Sequence, residues 1–402
     1  MNKKRWIALT AALCGLCLSA GCGKEDSVKL APEREWLEVN TYNAEAYLRP
    51  YWYTREIYNE TCLFVGEEGE ATLLFTPEEV RSVRSYTLDT VYEEGKDYEI
   101  EGRTIRRLKG SSIPYFEPDE YFRKEPDLIA IGADMSKVEF DFEEPRYLKY
   151  GEQDTFTSRQ IAVTYRHAEA YDGPVPASCT DKTENFRKKL VPGGEVSVMV
   201  YGDSVAVGCN ASGSEYGGNT APHMPVYGEI ICTYLEEKYG VTVNYFNEAV
   251  GGWTTADCLG AYDQKIKGKT LDLLILRVGG NDGGTLPELY EMGVEGIVEK
   301  YFTDNPDGVV ILQSSERPNM QSSWVGNQKV FEENLDNIAS ARDNVAVAHI
   351  ESFFTYMESR GKRTRDFLGN NINHANDFGI RAYPQIILKT LLGTEFCEEV
   401  WL

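Results

Sequence analysis

The sequence predicts a three-layer α/β/α domain preceded by a β-sandwich, and three observations carry that reading. From Val196 onward, short apolar runs alternate with helical patterns. Before Thr180 the chain is strand-like, with no amphipathic helix of convincing length. Between the two, from about Pro174 to Glu195, lie prolines, Gly193-Gly194 and a charged stretch, the composition of a boundary.

The first residues predict export. Lys3, Lys4 and Arg5 precede an apolar run, Trp6 to Leu18, that is too short to span a bilayer and suits a signal peptide. The run ends in Leu18-Ser19-Ala20-Gly21-Cys22, which resembles a bacterial lipobox. The resemblance implies a signal over 1–21, a lipid on Cys22 and a tether over 22–35. Ser19 stands where leucine is commoner. On this reading the only membrane contact is through the N-terminal lipid. An ordinary secretory signal is the alternative.

At 402 residues, two domains are expected after the tether: a β-sandwich over 36–185 and an α/β domain over 190–395. In the first, Ala71–Thr76 is a short apolar run and Ser85–Tyr92 alternates. Tyr98–Ile100 and Thr104-Ile105 flank Glu101-Gly102-Arg103 as a hairpin, and Ile161, Val163 and Tyr165 share a face. Trp36, Tyr42, Tyr47, Tyr51, Trp52, Tyr53 and Tyr58 make this half aromatic. Sugar stacking is one use for such rings, and a packed core with tyrosine-rich edges is the favoured one. In the second domain the expected strands are Val196–Tyr201, Val241–Phe246, Leu271–Val278, Val309–Leu312 and Val345–Ile350. The expected helices are Val226–Tyr239, Ala256–Lys267, Leu286–Phe302, Gln328–Ala341 and Phe378–Leu392.

A formal net charge of −23 argues against nucleic acid as a partner and against a basic membrane-binding face. Cys14 and Cys17 leave with the signal. Cys62, Cys179, Cys209, Cys232, Cys258 and Cys397 remain, and their pairing is open. None of these six sits in a CxxC, so a zinc site is not expected; no cofactor is expected either.

The chemistry-bearing residues fall where the expected strands end, the edge at which parallel sheets hold ligands. The first strand ends in Gly202-Asp203-Ser204. The second ends in Asn247-Glu248-Ala249-Val250-Gly251-Gly252-Trp253. The third ends in Gly279-Gly280-Asn281-Asp282. His374 follows Asn370-Asn371-Ile372-Asn373, just before the last helix.

These four blocks resemble those of the SGNH hydrolases, also called the GDSL family. The resemblance covers Val196 to Leu392, roughly half the chain. It implies a metal-free serine esterase with a flavodoxin-like fold. Ser204 would be the nucleophile and His374 its base. The N–H of Ser204, the N–H of Gly252 (Gly251 is the close alternative) and the amide of Asn281 would form the oxyanion hole. Asp203 and Asp282 would fix turns. The family's aspartate three residues before the histidine is here Asn371. The orienter of His374 is therefore open between Asn371, Asp366, Glu351, Asp377, a backbone carbonyl, or none. Ala375 replaces a frequent proline, with little effect expected.

Tyr92-Glu93-Glu94-Gly95-Lys96-Asp97-Tyr98 is similar to a stretch of the β-sandwich ahead of some bacterial carbohydrate esterases. Export, a tether and an accessory β-domain favour a polymer substrate outside the cell, and the family resemblance implies that the reaction is deacetylation of an acylated carbohydrate. A lipase, thioesterase or broad carboxylesterase is the alternative within enzymes. A glycan-binding lipoprotein with a decayed hydrolase half is the alternative outside them. His349 is expected in the core, His167 as packing or a cap, His223 on a surface loop, and Trp253 as pocket wall or packing.

Overall fold

The structure, a computed structural model, describes residues 30–126, 137–138 and 144–397. The expected signal sequence, Cys22 and part of the expected tether lie outside these.

Five apolar runs form one parallel sheet: β1 (Glu195–Gly202), β2 (Thr242–Asn247), β3 (Leu273–Arg277), β4 (Val309–Gln313) and β5 (Val345–Ala348). Their order is β2-β1-β3-β4-β5. This is the doubly wound order, and its direction reverses beside β1, between β1 and β3. Period-two alternation distributes the strand residues to two cores. Val198, Val200, Leu273, Ile275, Val309 and Ile311 pack in one cluster, with residues of helices Tyr227–Tyr239, Ile350–Ser359 and Ala382–Leu392. Met199, Tyr201, Leu274, Leu276, Val310 and Leu312 pack in the other, with residues of helices Thr255–Lys265, Pro287–Asp304 and Phe331–Ser340. Both faces of the sheet are thus covered by helices.

Residues N-terminal to this sheet form three antiparallel sheets. The largest is built on Glu56–Leu63, which pairs with Gln160–Arg166; that strand in turn pairs with Glu79–Ser85. Tyr98–Glu101 and Thr104–Arg107 form a hairpin around Gly102. Among the described residues the helices here are four residues long. The alternating stretch Ser85–Tyr92 is not one strand. Ser85 ends one, Val91–Tyr92 begins another, and the turn between them is tied at Asp89, whose carboxylate accepts from Ser85, Thr87 and Thr90. Short polar side chains that satisfy a turn locally override alternation.

The two halves share a core. One cluster runs from Val39, Tyr47, Tyr51 and Trp52 through Val163 and Tyr165 to Phe353, Phe378, Tyr383 and Ile387. Tyr51 stacks on Phe353 at 5.3 Å and donates its hydroxyl to the Phe378 carbonyl at 2.7 Å. Lys362, fully buried, donates to Glu60 at 2.7 Å. The aromatic-rich start of the chain therefore builds core: Tyr47, Tyr51, Trp52 and Tyr58 are all buried.

Candidate active site

The loops leaving β1, β2 and β3 and the turn before the last helix meet at the carboxyl edge of the sheet. β1 stops at Gly202, where a Cβ would fall 1.6 Å from the Arg277 carbonyl oxygen. Only glycine lets the chain turn this close to β3. Asp203 then caps the short helix Ser204–Val207 by accepting from Val205 N–H at 3.1 Å. Beneath the turn, Arg277 donates to Asp203, and to Glu316 and Ser315 at 3.0 Å each. Burial lowers the pKa of the guanidinium, and the two carboxylates outweigh it and raise it overall.

After β2, Val250–Trp253 closes a turn through Trp253 N–H to the Val250 carbonyl at 3.3 Å. Gly252 sits at φ +80°, which the third residue of such a turn requires. A Cβ on Gly251 would lie 3.9 Å from Ser204 Cβ, whereas one on Gly252 meets nothing within 4 Å. Gly251 thus lies against the serine, with Gly252 one residue further around the turn. After β3, Asn281 donates one amide hydrogen to the Trp253 carbonyl at 2.9 Å, which leaves the second for a ligand. Asp282 accepts from Thr255 N–H at 3.1 Å and ties this loop to the glycine turn.

Ser204 and His374 meet, with Oγ to Nε2 at 2.8 Å, both residues buried. The histidine turn is held by Asn370, whose Oδ1 accepts from the N–H groups of Ile372, Asn373 and His374 at 2.9–3.0 Å.

The other face of the imidazole meets a residue that the sequence reading did not consider. Glu152, from the N-terminal half, lies 3.1 Å from His374 Nδ1 through each carboxylate oxygen. It also accepts from Tyr150 Oη at 2.5 Å and from Asn370 Nδ2 at 3.0 Å. Burial pushes this carboxyl up, but its hydrogen bond and charge interaction with His374, with help from Tyr150 and Asn370, hold it down at about 2. The four side chains that the sequence offers as orienters are committed elsewhere. Asn371 bonds Tyr121, Asn319 and the Lys149 carbonyl. Asp366 accepts from Leu63 N–H at 2.8 Å, and Glu351 pairs with Arg317. Asp377 accepts from Ser212 N–H at 2.9 Å. No sequence signal within the four blocks could point 222 residues upstream to Glu152.

The remaining histidines stand apart. His167 is buried, stacks on Phe75 at 3.9 Å and is pushed down to about 4 by burial. His349 is partly exposed rather than core, and Asp336 lies 2.9 Å from its Nε2. His223 is exposed on a loop. Trp253 is half-buried, edge-on to Tyr201 at 6.3 Å. Cys62, Cys209, Cys232 and Cys258 carry free thiols. Among the described residues no cluster of His, Cys, Asp or Glu could hold a metal ion, and no helix is long and apolar enough to cross a membrane.

Neither a family model nor a curated protein matches the chain. Solved structures do. A two-domain esterase active on acetylated mannans, solved with mannopentaose, is 18% identical over 57% of this chain and 55% of its own, with a TM-score of 0.44. An acetylxylan esterase from Geobacillus stearothermophilus is 16% identical over 52% and 98%, at 0.41. An α/β hydrolase enzyme from the metagenome of Lake Arreo, Spain, is 16% identical over 50% and 96%, at 0.38. The chain thus spans about half the length of the mannan-active esterase.

Proposed function

We propose that the protein is an SGNH-type serine esterase that removes an O-acyl group, acetyl above all, from a polysaccharide or oligosaccharide. The observation that carries the reading is the 2.8 Å approach of Ser204 Oγ to His374 Nε2 at the carboxyl edge of the sheet. A hydroxyl is a weak nucleophile until a base takes its proton, and an imidazole at hydrogen-bond distance is that base. Ser204 attacks the ester carbonyl as His374 accepts the proton. The carbonyl oxygen becomes an oxyanion, facing the spare amide hydrogen of Asn281 and the N–H groups of Ser204 and the Gly251-Gly252 turn. Collapse expels the sugar alkoxide, which His374 protonates. Water, deprotonated by the same ring, then attacks the acyl-Ser204 ester, releases the acid and restores the serine.

The sugar-ester substrate rests on the family resemblance and on the expected export. In the same reading the chain is a lipoprotein anchored outside the cytoplasm through Cys22, with its β-rich half as a sandwich. Labelling with a radioactive fatty acid in a bacterial host, lost in Cys22→Ala, tests the anchor.

The enzyme reading is tested on the purified protein with a chromogenic acetate ester, longer acyl esters and acetylated xylan, beside Ser204→Ala. We expect turnover of acetate esters, release of acetate from the glycan, and no activity above background in the variant. Equal rates for both proteins would sink the esterase. A preference for long acyl chains would sink the sugar-ester substrate.

A further inference from the structure

We propose that Glu152 is the acid that positions His374, and that Asn371 has exchanged the orienting role for anchoring the segment that delivers Glu152. This rests on the serine-esterase reading above. The base must present Nε2 without a proton to Ser204, so Nδ1 must carry one. A carboxylate with both oxygens 3.1 Å from Nδ1 selects that tautomer, fixes the ring plane and faces the imidazolium that forms during attack. Glu152 is itself held by Tyr150 and Asn370, so it has little freedom to turn away. Asn370 also grips the histidine backbone, and one side chain therefore sets both partners.

Asn371 explains why the acid could move. Its Nδ2 donates to the Lys149 carbonyl at 3.0 Å, three residues before Glu152. Its Oδ1 accepts from Tyr121 Oη at 2.8 Å and from Asn319 Nδ2 at 3.2 Å. Aspartate has no hydrogen to offer the carbonyl and would set two acceptors against each other in a buried site. The backbone here is at φ +69°, which asparagine tolerates better than most side chains. The amide thus pins the incoming N-terminal segment at the position where an aspartate would otherwise have met the ring. The α/β half without residues 149–152 has the nucleophile and the base but no carboxylate on Nδ1.

The test uses the full chain and acetate-ester kinetics across pH for Glu152→Gln, Glu152→Asp, Glu152→Ala with and without formate, Tyr150→Phe and Ser204→Ala. We expect Glu152→Gln to lose about two to four orders of magnitude in kcat with KM little changed, as removal of a triad acid does. Glu152→Asp should recover at least roughly tenfold over Gln, and formate should raise the Glu152→Ala rate in proportion to its concentration. Tyr150→Phe, which removes one hydroxyl donor and no charge, should fold and lose about 5- to 30-fold. A Glu152→Gln enzyme within about threefold of wild type would overturn the assignment, as would the absence of formate rescue beside an unimpaired Tyr150→Phe. In either case an inactive Ser204→Ala leaves the esterase reading standing. An active Ser204→Ala removes that reading instead.

Discussion

Arg277 reaches Asp203 with one terminal nitrogen and Glu316 with the other, and all three side chains are closed to solvent. The cation stands behind the Ser204 turn and balances two carboxylates that could not otherwise be buried. Arg277→Met should therefore cost about 3–5 kcal/mol, the loss seen when one partner of a buried ion pair is removed. Urea denaturation at neutral pH measures this. A loss below about 1 kcal/mol would show that the two carboxylates do not depend on the cation.

Gly202→Ala should prevent folding or destabilise by at least the ~3 kcal/mol upper range of core overpacking, because the obstacle is a backbone oxygen rather than a side chain that can swing aside. Soluble yield and the denaturation midpoint report it. An alanine variant as stable as wild type would show that β1 and β3 can separate at their ends.

Asn281→Ala should lower kcat on acetate esters by about 10²–10³, or ~2.7–4 kcal/mol of transition-state stabilisation, with KM little affected. A matched rise in KM at constant kcat would instead make Asn281 a ground-state binding group.

Asp377 bears on stability as a function of pH. Burial pushes its carboxyl up to about 6, against the hydrogen bonds from Ser212 and Tyr86 that pull it down. A raised folded value favours the protonated form, so this group's contribution is fully present below the unfolded pKa near 4 and is lost as pH rises through about 6. Asp377→Asn, which cannot ionise, should gain on wild type by up to ~3 kcal/mol between pH 4 and pH 7. Thermal denaturation of both proteins across that window checks the sign. Glu152 runs the other way: its depressed value adds stability above about 4.5 that is lost as pH falls toward 2.

The α/β half was legible because β3, β4 and β5 are buried along their whole length and write nearly continuous apolar runs, and β1 does so over most of its length. The expected Val196–Tyr201 is observed as Glu195–Gly202, and Val309–Leu312 as Val309–Gln313. Helix Val226–Tyr239 starts one residue later than expected and stops at Gly240, which takes the left-handed conformation. The apolar run 345–350 predicts one strand, but the strand ends at Ala348 and a helix begins at Ile350, a change no glycine or proline marks. Four blocks in the right order brought Ser204, Gly251-Gly252, Asn281 and His374 into view. Glu152 escaped because its partner lies across the boundary between halves, and a carboxylate between Tyr150 and Gln153 carries no local mark of what it will face. The exchange at Asn371 was visible as a departure, and its meaning needed the position of Lys149.

The buried contact of Tyr51 with the Phe378 carbonyl joins residues 327 positions apart. While the chain is being synthesised, the early tyrosines and Trp52 emerge long before the segment that will cover them. Until the last helices arrive, that face is apolar and uncovered, a period in which a nascent chain is open to aggregation and to chaperone capture. A ribosome stalled before residue 378 should hold an unfinished molecule rather than a finished first domain.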